Sequence, residues 1–454
     1  MLKCIDPATG EVIERLCCDD RRTVHRTFRN LEEGQKRWSD QPREDRVRAV
    51  AQFAQLLDEQ RTRILEWLVR QVGTPVRQAR AEVDVACERI EQFCQACVAD
   101  DDVAPAYDSR RGSQRVEREP FGVVAHISTW SFPCLVGVEV MVPALLAGNS
   151  VLYKPSEHAS LVGRELIEMM WEAGIAKDVI DLVIGDGSVG DYVLDEAVSG
   201  VFFTGTYPTG QMISQKLASR LIPQHFALGG KDGAYVCEDV DVEQAARRVA
   251  DLAYYNSGRG RRAFDRLYVH ETIYRRFTQA LCQYVDSYRL GDPGRETTCV
   301  GPVVDSRQLD TLEHQLGDAV RKGARILLGG RVRGGQGNYF EPTVVTDVDH
   351  RMLLMREETM GPVLAVQRVC DDQEAMYRLE DTDYGLVAGV FSADRQRARR
   401  LLRALNAASV YWSRCGGQVS STRPLNGQPV GVGLLGDREG LNQFTRPKAW
   451  VMER

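Results

Sequence analysis

Apolar and polar positions alternate at two periods along the chain, and the period changes where the architecture should change. Val47, Val50, Phe53 and Leu57, then Ile64, Leu65 and Leu68, recur at helical spacing behind Asp40-Gln41-Pro42, a capping residue with proline in the first turn. A second long helix is expected after Pro75, with Val83, Ile90, Phe93 and Cys94 on one side, ending in the solvated acidic run Asp100-Asp101-Asp102. Residues 107–118 alternate weakly and run into charges, which suggests an exposed strand or arm. Beyond them the pattern predicts strand 121–127, helix 138–146, strand 150–153, helix 161–171, and strands 181–184 and 200–204. The second half repeats the grammar with helix 243–255, strand 267–270, helices 273–288 and 306–321, and several later β-runs. Such alternation predicts an α/β protein with parallel sheets covered by helices on both faces.

Composition narrows the partners. A chain of 454 residues has room for about two or three domains, and its net charge of −6 draws it to neither nucleic acid nor anionic lipid. The basic charge is arginine-rich, with only eight lysines among 58 Lys and Arg residues. The first residues read as a turn, Asp6-Pro7-Ala8-Thr9-Gly10, rather than a signal peptide. The most apolar stretch, 133–148, carries Glu139 and is short for a membrane span. Twelve scattered cysteines fit reduced thiols in a cytoplasmic protein, and Cys94-Gln-Ala-Cys97, a lone pair in a helical pattern, reads as core packing. No metal is expected from the seven histidines.

Three stretches bear on a nucleotide. Gly185-Asp-Gly187-Ser-Val-Gly190 fits a pyrophosphate turn, yet the next strand brings no Asp or Glu for a ribose, so a plain tight turn stays open. Lys154-Pro155-Ser156-Glu157 puts a cation and a carboxylate at the end of a buried strand, where ligands of α/β sheets sit. Phe203-Thr204-Gly205-Thr206 enters a helix whose free amides favour an anion. The last two together point to a nucleotide pocket.

These segments resemble the aldehyde dehydrogenase superfamily nearly end to end. Asp6-Pro-Ala-Thr-Gly-Glu11, Glu119-Pro-Phe-Gly-Val-Val124, Pro143-Ala-Leu-Leu-Ala-Gly-Asn149 and Lys154-Pro-Ser-Glu157 carry the likeness in the first half. Leu228-Gly-Gly-Lys231, Gly291-Asp-Pro293, Glu341-Pro-Thr343, Glu358 through Gly361-Pro-Val363 and Tyr384-Gly-Leu386 carry it in the second. The resemblance implies a dinucleotide-binding domain (1–101 and 119–228), a catalytic-like domain (229–418) and a β oligomerisation arm (102–118 and 419–454). It implies a homodimer or tetramer, and NAD held by Trp130, Lys154, Glu157, Gly205, Thr206 and Glu358. Glu157 favours NAD over NADP, because a carboxylate suits a ribose hydroxyl and repels a phosphate.

The family's reaction needs a thiolate to attack the aldehyde, an amide to hold the oxyanion and a glutamate to activate water. At the matching positions stand Arg261, Ser131 and Ala227. Met360 and Ser413 also depart from the pattern, and Cys134 lies near the expected channel but on the wrong element. A guanidinium stays protonated and has no lone pair for attack. The sequence therefore suggests a pseudoenzyme that binds a ligand or a partner, such as an active paralogue. The alternative is an active NAD-dependent aldehyde dehydrogenase using non-standard residues. Arg261 is expected either to pair with Glu358 and plug the pocket, or to form an anion site with Arg259 and Arg262; solvated or salt-bridged arginines are the bland third option.

Overall fold

The computed structural model describes residues 1–99, 107–109, 112–260, 263–412 and 438–453. The chain opens with a hairpin, β1 (Leu2–Ile5) and β2 (Val12–Leu16), joined by the expected turn, in which Gly10 adopts φ 77°. Helix α1 (Arg21–Ser39) follows, an element the pattern analysis did not include. Asp20 caps it by accepting from Thr23 N at 2.8 Å, and Val24, Phe28, Leu31 and Trp38 form its buried stripe. The first expected long helix is two, α2 (Arg43–Glu59) and α3 (Arg61–Arg70), broken at Gln60, whose ψ of 23° leaves the helical range. Helix α4 (Val76–Val98) follows Pro75 as expected.

Strands β3 (Tyr107–Ser109) and β4 (Gly112–Pro120) form the arm. The alternating region then gives β5 (Val123–Ile127), α5 (Pro133–Leu146), β6 (Ser150–Lys154), α6 (Ser160–Glu172), β7 (Ile180–Leu182), α7 (Gly187–Asp195), β8 (Gly200–Gly205), α8 (Tyr207–Leu217) and β9 (Gln224–Leu228). The five strands pair in the order β7-β6-β5-β8-β9, all parallel. Alternate residues serve opposite cores. Val124, Val151, Tyr153 and Phe202 face one side, and Val123, Ala125, Leu152 and Val201 the other. Helix α5 is buried nearly all round, which accounts for the long apolar run. Among the described residues no helix is long and apolar enough to cross a membrane.

The second half supplies β10 (Gly233–Val236), α9 (Val242–Ala253), β11 (Arg266–His270), α10 (Glu271–Asp286) and α11 (Ser306–Arg321). It continues with β12 (Arg325–Leu328), β13 (Thr343–Thr346), β14 (Val363–Val369), β15 (Val387–Phe391) and β16 (Ser409–Trp412). These strands make a seven-stranded sheet, β12-β13-β14-β11-β10-β15-β16, parallel except for β12. It too has a core on each face. Finally β17 (Thr445–Glu453) pairs antiparallel with β4 along its whole length, closing a three-stranded arm with β3. The fold is the expected α/β architecture.

Candidate functional site

The carboxyl ends of the five-stranded sheet face the amino ends of β10 and β11 across a cleft. The cavity between them has a volume of about 540 Å³. Trp130, Lys154, Glu157, Gly205, Thr206 and Glu358, the six residues expected at a cofactor, all line it. Ser131 and Ala227, the residues that the resemblance sets at the oxyanion and water-activating positions, line it as well.

At one end, β6 delivers Lys154 and Glu157. The Lys154 ammonium is buried, donates to Pro155 O at 2.9 Å and lies 4.0 Å from Glu157 Oε2. Burial lowers its pKa, against the pull of Glu157 and then Asp186. Beside it β8 runs into α8, whose first turn, at Thr206 and Thr209, borders the cavity. The leading amides of such a helix have no partner within it and favour an anion. Gly210 lets α8 sit close, since a Cβ there would come within 2.7 Å of Leu228 Cδ2. The glycine turn left open above belongs here too: Asp186 caps α7 through Ser188 N at 3.0 Å, and Gly187 and Gly190 line the same cavity. It follows β7, an edge strand, rather than the strand that enters the sheet's centre.

At the other end the Glu358 carboxylate rests on the backbone of Gly229. A Cβ at that position would lie 1.8 Å from Oε1, so this member of Leu228-Gly-Gly-Lys231 has to be glycine while Glu358 stays in place. A chain of hydrogen bonds fixes the Glu358 backbone. Lys231 Nζ donates to Thr359 Oγ1 (2.7 Å), Thr359 to Gln315 Oε1 (2.7 Å), and Gln315 Nε2 to Glu358 O (3.0 Å). Two cavity-lining carboxyls escaped sequence reasoning, Asp232 and Asp265. Asp232 accepts from Val387 N at 3.0 Å, and burial raises its pKa well above the usual range. Asp265 Oδ2 lies 3.9 Å from Lys231 Nζ; burial pushes the carboxyl up and the ammonium down, each restrained by the other's charge. Both precede strands of the second sheet, whereas the sequence signals of a nucleotide site lie at strand ends.

The segment between the expected helix 243–255 and strand 267–270, which carries Arg259, is built differently from expectation. Helix α9 stops at Ala253, and Asn256 (φ 49°), Ser257 (φ 58°) and Gly258 (φ 71°) are successive left-handed residues. Each of the two non-glycines costs roughly 1–3 kcal/mol, held by buried bonds. Asn256 N donates to Gln78 Oε1 (2.8 Å), Asn256 Nδ2 donates to Ser131 O (2.7 Å), and Ser257 Oγ accepts from Gly301 N (2.9 Å). Gly258 is required twice over, because a Cβ would fall 2.0 Å from Gly361 O. Arg259 is neither an anion site nor solvated. It is fully buried under Trp130, with its guanidinium donating to Asn256 O, Asn256 Oδ1 and Val72 O at 2.7–2.8 Å and to Gly73 O at 3.3 Å. Burial lowers its pKa to about 9, against the nearby Glu82. Glu82, its own carboxyl pushed up to about 8 by burial, accepts from Cys134 N (2.9 Å) and Leu135 N (3.2 Å) and so caps α5 from α4. Arg261 and Arg262, with the proposed Arg261–Glu358 pair, lie outside the described residues, as does Ser413.

No cysteine lines the cavity among the described residues. Cys134 is wholly buried in the first turn of α5, its thiol raised well above its ordinary pKa by burial, which rules it out as a ready nucleophile. Cys97, of the lone CxxC, packs in the core. Ala227, which ends next to Leu228 on β9, offers no carboxylate. Ser131 presents a hydroxyl 3.5 Å from Thr129 Oγ1. Among the described residues no cluster of three or more histidines, cysteines or carboxylates could hold a metal ion.

Two α/β sheets meeting at strand ends, with a lysine, a carboxylate and a helix N-terminus around one cleft, define an NAD(P)-binding fold of the oxidoreductase type. The chain belongs to the aldehyde dehydrogenase family, whose model matches residues 1–450. It is similar to the D-glyceraldehyde dehydrogenase (NADP(+)) of Picrophilus torridus, 28% identical over 456 residues that cover 98% of this chain and 92% of the relative. Among solved structures, 3,6-anhydro-L-galactose dehydrogenase in complex with NAP superposes with a TM-score of 0.94 at 30% identity, over 99% of this chain and 96% of that one. Betaine aldehyde dehydrogenase from Staphylococcus aureus in complex with NAD+ gives 0.95 at 28% identity, over 99% and 91%.

Proposed function

We propose that this family member binds NAD in the cleft and does not oxidise aldehydes through a covalent thiol adduct. Lys154 and the first turn of α8 would take the pyrophosphate, Glu157 a ribose hydroxyl, and Glu358 the nicotinamide ribose. When bound, the dinucleotide supplies a hydride acceptor; the chain's own groups bind and orient it. The observation that carries the reading is a cavity lined by Lys154, Glu157, Thr206 and Glu358 and by no cysteine among the described residues, with Ala227 and Ser131 on its wall, where the resemblance implies a water-activating glutamate and an oxyanion-holding asparagine. Thiolate attack, oxyanion support and water activation are separate roles, and losing one oxyanion donor alone typically costs about 3–4 kcal/mol.

The relatives favour a second reading, an active NAD-dependent aldehyde dehydrogenase, because the three reported above are named as dehydrogenases. The Ser131 hydroxyl would then stand in as oxyanion donor. Titration of the purified protein with NAD tests nucleotide binding, and a panel of aldehydes followed by NADH absorbance separates the readings. Saturable binding without turnover supports the first, and sustained turnover establishes the second.

The arm is the natural dimerisation element, since β17 leaves Trp450 and Val451 exposed at 44% and 70%. A homodimer or tetramer, or a mixed assembly with an active paralogue, would cover them. We infer a cytoplasmic protein, a reading supported by cysteines that are unpaired among the described residues.

A further inference from the structure

The floor of the cleft holds a carboxylate that the fold leaves without a hydrogen bond. Asp265 immediately precedes β11, and its backbone is fixed on both sides, its amide donating to Asp232 O and its carbonyl accepting from Ala365 N, each at 3.0 Å. The side chain lines the cavity, is 10% exposed and accepts no hydrogen bond among the described residues. Lys231 Nζ, its ion-pair partner, stands 3.9 Å from Oδ2, outside hydrogen-bond reach, and donates instead to Thr359 Oγ1 at 2.7 Å. The buried guanidinium groups are turned elsewhere. Arg266 donates to Lys231 O, Arg378 O, Leu379 O and the Tyr268 hydroxyl, and Arg259 to the oxygens of Asn256, Val72 and Gly73.

An ionised carboxylate can only accept, and burying one with its lone pairs unfilled carries the desolvation cost of a charged group. Asp232, next to it, meets that cost by accepting from Val387 N at 3.0 Å. For Asp265 the donors have to come from the cleft. Asp232 and Glu358 line the same cavity and repel an anion there. Gly230 keeps the floor open, since a Cβ at that position would lie 2.8 Å from Asp232 Oδ1 and 3.2 Å from Leu386 Cβ. Ala263, Met360 and Leu386 add apolar wall. Acceptors below and hydrocarbon beside them fit a cationic donor on a short apolar stem. An ammonium brings three donors and an opposite charge, where a hydroxyl brings one donor and no charge.

We propose that Asp265 anchors a second ligand site in this cleft, one that takes a small molecule by its primary ammonium group. This site goes beyond the dinucleotide reading, and it is tested without nucleotide, so that either can fail alone.

The test is isothermal titration of the full chain, free of nucleotide, with propylammonium, propan-1-ol and propanoate at one ionic strength. Propylammonium should saturate, propan-1-ol should bind roughly tenfold more weakly, and propanoate should give no heat of binding. Asp265→Asn keeps the shape and removes the charge, and should weaken propylammonium roughly tenfold or more, while Asp265→Glu should recover part of the loss. Circular dichroism reports whether each variant is folded, and Asp265→Ser is read in place of Asp265→Asn if that protein is not. Heat from propylammonium that never saturates, or that is the same in the folded Asn or Ser variant, belongs to surface carboxylates and overturns the assignment. So does propan-1-ol or propanoate binding the unaltered protein as tightly as propylammonium, a comparison that needs no variant.

Discussion

His126 sits in the middle of the central strand β5, and the structure makes it one of the chain's acid-sensitive points. Its ring is fully buried, neither nitrogen has a hydrogen-bond partner, and its centroid is 5.1 Å from that of Tyr153 on the next strand. Across the register on the other side is Phe202, stacked on Phe444 at 4.2 Å. Burial alone drops the His126 pKa from 6.5 to about 3. The unfolded chain therefore takes up a proton below 6.5 that the folded chain refuses, so stability is complete above that value and drains away as pH falls towards 3. At about pH 5 the difference amounts to about 2 kcal/mol. Replacing His126 with Phe keeps an aromatic ring in the row and removes the titration, along with two unsatisfied nitrogens. Urea unfolding at about pH 7 and about pH 5, at one protein concentration, gives four stabilities. The drop between the two pH values should be smaller in His126→Phe by about 2 kcal/mol. Equal drops in the two proteins would show that the ring is hydrated or protonated in the folded state, and the description of this core would be wrong.

Other consequences are more local. Gly229→Ala places a methyl where the Glu358 carboxylate lies, so nucleotide affinity should fall roughly tenfold, about 1.4 kcal/mol, with an unchanged circular dichroism spectrum. Arg259→Met strands three buried acceptors, Val72 O, Gly73 O and Asn256 Oδ1, and should cost about 3–5 kcal/mol, read as a fall in Tm of roughly 3–5 °C for a chain of this size. The combination Arg261→Cys, Ala227→Glu and Ser131→Asn should introduce NADH production from aldehydes, because Ala227 and Ser131 already line a formed cleft. A correctly folded triple variant that binds NAD and still does nothing would show that more than three groups have been lost.

Much of this was legible in the chain. Lys154, Glu157, Gly205 and Thr206 follow strands whose apolar runs are unmistakable, and a parallel sheet brings successive strand ends together without any further information. Glu358 came from its motif alone, and its seat on Gly229 is a tertiary contact. Helix α1 was missed because its stripe, Val24, Phe28, Leu31 and Trp38, is interrupted by charges and lacks a proline or glycine signal as plain as Asp40-Gln41-Pro42. Arg259 was misread for a different reason. A basic residue in a glycine turn looks solvated, and only the fold shows that left-handed Asn256 and the end of α3 present carbonyls to it. Glu82, mid-helix, likewise reads as a surface acid until α5 starts against it. Asp232 and Asp265 matter only because the second sheet meets the cleft by the starts of its strands, which no local pattern announces.

Intact-mass spectrometry of the protein quenched during incubation with NAD and a reactive aldehyde probes the chemistry most directly. A cleft that holds the nucleotide and lacks a competent sulfur leaves the mass of the polypeptide unchanged. An acyl increment appearing on any residue, and disappearing as acid is released, would contradict that account.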